Sequence, residues 1–338
     1  MPRLTPALTV TPAFPVTPAR TVTPARTAIL TMFLVLAALT GRSQLRWRKM
    51  DTGFGPLPPS VHVYRSPDSL EGLPFIAYYV SARLKDKHLL FTTETVKDNR
   101  FTPAQFYRLE QQPLIVVNSS FFSLTTGEIY NLVVHNGRLV SRNLRSLRGT
   151  GPDSALYYYP TRGAIGIDRR RRADVAWTFT DSIRMWPYAF EQMPVVAKGP
   201  DSLPTIFSLN DITWKWWKMR TAVGGGPVLI HDGKVHITNR EEQLFPDAPG
   251  DYQPRTAMGY TRDGLFIILV IQGRTPGLAA GATLQEEARI MLGLGCYEAL
   301  NLDGGGSTCL LVNGKETVRP SDPEGERPLP TVFLIKRK

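Results

Sequence analysis

The sequence predicts an α+β fold, in which a few helices cover a mostly antiparallel, twisted sheet. Three observations indicate this class: short runs of β-branched and aromatic residues recur, Asn-Gly or Asp-Gly pairs separate many of them, and only two segments carry strong helix signals. Hydrophobic residues make up 42% of the 338, enough to bury a sizeable core. We expect one domain from about residue 71 to residue 338.

The strand pattern begins near Leu73, and Ile76–Val80 and Leu89–Thr93 are its first clear runs. Asn-Gly and Asp-Gly tolerate the positive φ of the tight turns whose twist matches antiparallel strands. Four such pairs recur as hairpin signals between apolar segments: Asn136-Gly137, Asp232-Gly233, Asp263-Gly264 and Asn313-Gly314. Each predicts a hairpin, and together they predict an antiparallel sheet.

Two helices have clear start signals. Thr102-Pro103-Ala104-Gln105 and Thr283-Leu284-Gln285-Glu286 both match the capping box, and they predict helices ending near Gln111 and Leu294. A short apolar strand follows each helix, at Leu114–Val117 and Ala299–Leu302. Both strands end in polar or glycine-rich turns, where we expect the chemistry to lie.

The amino terminus has the pattern of a targeting segment. Residues 1–43 are predicted to be a signal peptide with a low-complexity Thr/Pro leader, because residues 28–39 form an apolar run of twelve after arginines. A membrane helix needs about 20 apolar residues, so we expect export to the periplasm or the cell exterior, with no stable span after cleavage before Gln44. An uncleaved anchor is the alternative. Residues 44–70, with four prolines, are predicted to be a linker or edge segment.

The chain is basic, with 40 Lys and Arg against 29 Asp and Glu. Such a surplus fits an anionic substrate or surface, nucleic acid, or simply a solvated basic surface. No helix-turn-helix, zinc-finger or RNA-binding motif is present, so we expect no nucleic acid. Cys296 and Cys309 lack a zinc pattern and form either one bridge or two buried thiols. The five histidines lack metal-ligand spacing, and we expect no metal and no cofactor.

The most informative segment is Asn301-Leu302-Asp303-Gly304-Gly305-Gly306-Ser307-Thr308. An acid at a strand end followed by three glycines places a carboxylate beside backbone that a ligand can approach closely. It is not a Walker loop, because the Gly-Lys-Ser/Thr ending is absent. The alternative is a structural turn in which Asp303 caps backbone amides.

Three further features are candidates for a ligand site. The run Gly224-Gly225-Gly226-Pro227 suits close backbone approach but is also typical of a bulge. In Pro254-Arg255-Thr256-Ala257, Arg255 offers a planar fork for phosphate or carboxylate, although a surface ion pair would explain it as well. In Asn118-Ser119-Ser120-Phe121-Phe122, the amide suits sugar hydroxyls and an aromatic ring suits a sugar face, with at least one phenylalanine expected in the core.

Two basic or aromatic groups are interpreted as structural. Arg169–Arg172 lies between predicted strands at Ala164–Ile167 and Val175–Phe179, which indicates a solvated turn. The tryptophans at 214, 216 and 217 alternate with lysines and could stack on sugar, but packing is the favoured interpretation.

Together these blocks resemble the phosphodiester glycosidase family. Four blocks match in order: Asn118–Phe122, Val223–Pro227, Pro254–Gly259 and the stretch from Gly281 to Gly314. The resemblance spans roughly residues 110–338. It departs from the family at Ser119 and Ser120, which replace two glycines and are expected to narrow the approach. It implies hydrolysis of a sugar phosphodiester, often one carrying α-linked N-acetylglucosamine.

The chemistry of the reaction suggests roles for these residues. A phosphodiester is a good leaving group. The reaction therefore requires a carboxylate for the oxocarbenium-like centre and cationic or amide hydrogen-bond donors for the phosphate. We expect Asp303 to be nucleophile, base or stabiliser, Arg255 to hold phosphate, and Asn118 to orient the sugar. The substrate-binding set is expected to be Thr256, Gly304, Gly305, Gly306, Ser307, Gly225 and Phe122.

Two other functions stay open. An exported, non-catalytic module that binds polysaccharide or cell wall could use the same groove, and a phosphodiesterase would break P–O instead of C–O. The latter usually needs two metal ions, for which ligands are hard to assemble here. In each case the expected partner is a sugar phosphodiester or an anionic glycan.

Overall fold

A computed structural model describes residues 45–97, 99–181, 185–192, 197–199, 214–245 and 250–338. The predicted signal peptide and Thr/Pro leader lie outside these residues. Within them, Leu45–Lys338 forms one compact unit, although the domain boundaries stay predictions. All strand pairings of the named strands in this part of the chain are antiparallel, and two α-helices accompany them, which confirms the predicted fold class.

The largest sheet has eight strands. In spatial order they are β1 (Arg48–Lys49), β2 (Val61–Arg65), β5 (Ala77–Arg83), β21 (Leu265–Ile271), β20 (Arg255–Thr261), β22 (Cys296–Asn301), β18 (Val228–His231) and β19 (Lys234–Val235). Strand β22 delivers the chain to Asp303, and its neighbour β20 begins at Arg255. The sheet therefore places two of the predicted blocks side by side.

A second sheet has seven strands. They are β16 (Trp214–Trp216), β14 (Trp186–Phe190), β13 (Ala173–Asp181), β12 (Arg162–Asp168), β17 (Met219–Gly224), β8 (Val133–His135) and β9 (Arg138–Ser141). Strand β17 ends in the predicted glycine block, which lies against Asn301 at the end of β22.

A third sheet has five strands: β24 (Lys315–Glu316), β23 (Leu310–Val312), β7 (Ile115–Asn118), β25 (Thr331–Arg337) and β6 (Leu89–Thr95). The smaller pairings are β10 (Leu147–Arg148), β11 (Tyr157–Tyr159) and β15 (Ala197–Gly199) in one sheet and β3 (Ser69–Leu70) with β4 (Leu73–Pro74) in another. The main core packs side chains from all three large sheets, including Met258, Trp177 and Phe333.

Both helices start at the predicted caps. Helix α1 (Pro103–Leu109) and helix α2 (Leu284–Gly293) each have a complete capping box, from Thr102 with Gln105 and from Thr283 with Glu286. Helix α2 packs on the eight-stranded sheet, where Leu284, Ala288 and Met291 join a core cluster. Helix α1 packs on the five-stranded sheet through Phe106.

The four predicted turns all join antiparallel strands. Asn136, Asp232 and Asn313 have positive φ together with the glycine that follows each of them, as the tight hairpin requires. Asp263-Gly264 differs because only Gly264, at φ +89, takes the left-handed conformation. There the side chain of Asp263 accepts a hydrogen bond from Thr261, which stabilises a longer turn.

Cys296 and Cys309 are both free and buried, in different core clusters. Of the two alternatives that the sequence left open, buried thiols are therefore correct.

Candidate functional site

The loop from Asp303 to Ser307 lies where strands from two sheets end. The backbone N–H of Asp303 donates to the carbonyl of Ser119, just after β7, at 2.9 Å. The N–H of Gly305 donates to the carbonyl of Pro254, just before β20, also at 2.9 Å. Backbone bonds thus bring together three of the four blocks that the sequence singled out.

Asn118 fixes this junction. Its side chain is fully buried, its Nδ2 donates to the main-chain carbonyl of Asp303, and its Oδ1 accepts from Thr256 Oγ1 at 2.9 Å and from the Cys309 N–H at 3.1 Å. Thr256 is equally buried. The hydroxyl of Thr256 thus bonds Asn118, and Asn118 bonds the loop, whereas the substrate contacts expected of these two residues stay predictions.

The Asp303 carboxyl is the titratable group of the loop. It is half-buried, and burial raises its pKa to about 7 despite a hydrogen bond from Ser307, the charge of Arg327 and the N–H of Gly304, each of which lowers it. At neutral pH the group is therefore close to half ionised. Such a pKa suits a carboxyl that gains or loses a proton during a reaction.

Arg327 and Asp322 support this carboxyl, and no sequence motif predicted them. Arg327 donates through Nε and Nη2 to Asp322 at 2.7 and 2.9 Å, and through Nη1 to Ser307 Oγ at 3.3 Å. A Cβ on Gly306 would lie 2.0 Å from both Arg327 Nη2 and Asp322 Oδ1. The third glycine of the motif therefore leaves room for the ion pair.

Arg274 is a second cation at the loop that the sequence did not reveal. Its guanidinium is exposed and lies 3.2 Å from the place that a Cβ on Gly305 would take. Gln253 Oε1 accepts from its Nε at 2.9 Å and from its Nη2 at 2.6 Å. The Arg274 guanidinium is thus held over the glycine turn, and part of its surface is open to solvent.

Arg255 differs from the predicted exposed clamp. It is only 5% exposed; its Nε donates to the carbonyl of Ala282 at 2.9 Å and its Nη2 to that of Asp251 at 3.2 Å. Its guanidinium also lies 5.9 Å from the ring of Phe245. The structure therefore buries this charge, and two of the guanidinium N–H groups donate to backbone carbonyls.

The two phenylalanines after Asn118 take different positions. Phe122, the predicted sugar contact, is 8% exposed and packs in the core cluster around Phe106. Phe121 is half-buried and meets Phe245 edge to face at 6.2 Å. Ser119 and Ser120 are 1% and 2% exposed; their side chains point inward, so they do not narrow an open approach as expected.

The backbone N–H groups of the predicted glycine-rich segments are also largely hydrogen-bonded within the protein. Gly225 is buried against Leu302 and donates its N–H to Gly163. Besides Gly305, the N–H groups of Ser307 and Thr308 donate to carbonyls of the loop itself. The glycines therefore allow close packing of the loop, and the donors for a ligand are side chains.

Several other carboxyls lie near these elements. Glu286 caps α2, as the sequence indicates. Asp251 lies 3.8 Å from Arg255 Nη2 and accepts from Gln253 at 2.6 Å, which makes it a second carboxylate beside the loop. Glu287 is fully buried, neither of its oxygens has a hydrogen-bond partner, and burial raises its pKa to about 8.

One group of residues could hold a cation. Ligand atoms of His231, Asp232 and Glu298 lie within 4.8 Å of one another, although the spacing of these residues along the chain does not predict a metal site. Glu298 already accepts from Tyr260 at 2.7 Å and from the Val175 N–H at 2.9 Å. It stands five residues before Asp303, about 17 Å along an extended strand, so this group is not part of the loop.

Comparison with known proteins shows similarity to one family. The sequence profile of the phosphodiester glycosidases matches residues 188–336. An N-acetylglucosamine-1-phosphodiester alpha-N-acetylglucosaminidase from Bos taurus is 24% identical over 263 residues, which cover 77% of this chain and 40% of that protein. The chain thus spans about two fifths of this curated relative.

Solved structures share the fold. The catalytic domain of the zebrafish N-acetylglucosamine-1-phosphodiester alpha-N-acetylglucosaminidase, auto-inhibited by its pro-peptide, superimposes with a TM-score of 0.54 at 17% identity, covering 89% of this chain and 91% of that one. A hypothetical protein from Synechocystis gives a TM-score of 0.56 at 16% identity, covering 87% of this chain and 68% of that one.

Among the described residues, no helix has the length and apolar character needed to cross a membrane. The profile match over residues 188–336, the curated relative and the shared fold show that the chain is similar to the phosphodiester glycosidases.

Proposed function

We propose that the protein hydrolyses a sugar phosphodiester at the anomeric carbon, releasing the free sugar and a phosphomonoester. The observation that carries this proposal is the Asp303 carboxyl, whose pKa burial raises to about 7 although Ser307, the charge of Arg327 and the Gly304 N–H each lower it. Arg327 reaches it through Ser307, and Arg274 lies over the adjoining glycine turn. Negative charge for the sugar carbon and positive charge for the phosphate are thus both present at this loop.

The ionised Asp303 stabilises positive charge at the anomeric carbon, either by direct attack or by activating water. The C1–O bond breaks, its electron pair leaves with the phosphate, and water supplies the hydroxyl at C1 and the proton that the phosphate retains. Preorganised charge of this kind is worth about 3 kcal/mol or more per contact in a water-poor site. Asn118 acts as a positioning residue, since it holds the main chain of Asp303.

Arg274 is proposed as the ligand of the phosphate. An exposed fork fixed by Gln253 suits bidentate binding of phosphate oxygens. Arg255 contributes a fixed, buried positive charge, and Gly304–Ser307 permit the close approach. A pair of carboxyls, Asp303 with Asp251, would then flank the Pro254 turn.

The sugar is proposed to lie against Phe121 and Phe245. A cavity of about 390 Å³ opens beside Phe245, with Tyr158, Asn239 and Arg240 in its wall. Aromatic faces with a few hydrogen-bonding groups are typical of small-molecule sites. The names of the mammalian and zebrafish relatives make α-linked N-acetylglucosamine the first sugar to test. Export, proposed from the apolar run in residues 1–43, would bring the enzyme to extracytoplasmic glycans.

The test is product analysis with a panel of sugar-1-phosphodiesters. Free sugar plus phosphomonoester, lost in Asp303→Asn and reduced about a hundredfold in Arg274→Gln, supports the proposal. Arg262→Gln is the matched control, because Arg262 is an exposed arginine over Tyr297, at 4.2 Å, away from the loop. Sugar-1-phosphate as product would mean P–O cleavage, and binding without turnover would favour the binding module.

A further inference from the structure

A second cavity, of about 580 Å³, is lined by residues of the seven-stranded sheet, from β8, β9, β14, β16 and β17 and from the turn between β12 and β13. We propose that it binds an anionic sugar unit, meaning a sugar that carries phosphate or carboxylate. The choice of a sugar rests on the proposed function, whereas the cavity and its charge do not depend on catalysis. We call this cavity the basic cavity and define it by Arg138, Arg169, Arg170, Arg172, Trp186 and Lys218.

The basic cavity carries a surplus of positive charge. Four arginines and one lysine line it, against the single carboxylate of Asp168. That carboxylate is already paired with Arg172 at 2.7 Å. Within the described part of the chain, no carboxylate pairs with Arg138, Arg169 or Arg170. Three guanidinium groups are therefore available to an anion, which they can bind with charge-assisted hydrogen bonds.

Two tryptophans form an aromatic wall of the same cavity. Trp186 of β14 and Trp216 of β16 stack with 3.9 Å between ring centroids and an angle of 3° between planes, and they are 41% and 42% exposed. Lys218 Nζ lies 4.2 Å from the Trp216 ring. Contiguous exposed apolar surface often marks a ligand-binding site, and this pair of indoles offers such a surface for the ring of a bound sugar.

The basic cavity is separate from the proposed catalytic loop. Strand β17 runs from Met219, in the wall of the cavity, to Gly224, which packs beside Asn131 near the loop. Six residues of strand extend over about 17 Å between these ends. A glycan chain could place one sugar unit at each site. The basic cavity would then hold an acidic sugar several sugar units away from the bond that is cut.

The shape of the cavity favours a small ligand over nucleic acid. Sites for single-stranded nucleic acid combine a long basic groove with aromatic rings that separate successive bases. Here the two indoles stack on each other and leave no gap for a base. The volume falls in the range of about 300–1,000 Å³ that is usual for small-molecule sites.

The experiment is calorimetric titration of the Asp303→Asn protein, which excludes turnover as a cause of heat. The probes are glucose 1-phosphate, glucuronate, glucose, inorganic phosphate and an oligothymidylate. We expect the two acidic sugars to bind, and to bind at least tenfold more weakly after Arg169→Gln with Arg170→Gln or after Trp186→Ala. Arg262→Gln is the control and should change nothing. Quenching of indole fluorescence by the acidic sugars gives a second, local readout.

Each other result overturns the proposal. If glucose binds as tightly as the acidic sugars, the charge of the ligand has no role in binding. If inorganic phosphate binds as tightly as the acidic sugars, the sugar ring has no role. Tighter binding of the oligothymidylate, lost in the same variants, would assign the cavity to nucleic acid. Acidic-sugar binding that is lost only in Arg274→Gln would locate the ligand at the Asp303 loop. If Trp186→Ala does not fold, the double arginine variant decides, because its side chains are exposed.

Discussion

The side-chain amide of Asn118 donates a hydrogen bond to the main-chain carbonyl of Asp303, across 185 residues of sequence. This contact joins the end of β7 in one sheet to the loop that follows β22 in another. Because the same amide also accepts from Thr256 and from the Cys309 backbone, a single buried side chain sets the position of the proposed catalytic carboxyl.

Replacing Asn118 should therefore reduce both stability and turnover. Asn118→Ala leaves the Cys309 N–H and the Asp303 carbonyl buried without this partner, which should cost about 2–4 kcal/mol in the free energy of unfolding. Thr256→Val, which removes one bond to the same amide, should cost about 1 kcal/mol. Urea unfolding and kcat measured on both variants check this. Equal effects of the two substitutions would contradict a central role for Asn118.

The pH dependence of turnover should follow Asp303. Its pKa is raised to about 7 by burial, and the ionised form is the one that we propose to act. We thus expect kcat/KM to fall about tenfold per pH unit below that pKa. Arg327 lowers this pKa, so Arg327→Gln should move the acid limb of the profile to higher pH. An acid limb centred near pH 4 in the unmodified protein would rule out this role for Asp303.

The third glycine of the loop should not tolerate a side chain. In Gly306→Ala, the new Cβ would lie 2.0 Å from Arg327 and Asp322, so the ion pair must move and Asp303 loses a supporting charge. We expect a loss of kcat of about tenfold or more. Gly293→Ala, at the end of α2, is the control, because nothing lies within 4 Å of its new Cβ. Similar kcat in the two variants would show that the ion pair is dispensable.

Glu287 should make the protein less stable as the pH rises. Its pKa is raised from 4.5 to about 8 because it is fully buried, so the folded state binds a proton that the unfolded state has released. Stability from this group is complete below pH 4.5 and is lost as the pH rises through 8. By linkage the loss approaches about 5 kcal/mol.

Glu287→Gln should remove this loss. Thermal unfolding at acidic, neutral and alkaline pH should show that the stability of the variant increases relative to that of the unmodified protein as the pH increases. Glu286→Gln, at the neighbouring position, changes a capping residue instead and should cost about 1 kcal/mol. If the unfolding temperatures of the unmodified protein and Glu287→Gln change in parallel with pH, Glu287 is ionised in the folded state.

The sequence by itself determined the local elements of this protein. Thr102 and Thr283 start the helices, since a capping box needs only four consecutive residues. Asn313-Gly314 and its counterparts make hairpins because their conformational preferences are local. The Asp303 loop could also be found in advance, because the acid and its glycines are adjacent in the chain.

Only the tertiary structure decided which side chains surround that loop and which way they point. Arg327 and Arg274 reach it from irregular segments that carry no periodic signal. Phe122 and Phe121 are neighbours of the same type, yet only Phe122 enters the core cluster. Arg169 and Trp216 are 47 residues apart and line one cavity. Such proximity depends on strand pairing between distant segments, and no local preference of the chain encodes it.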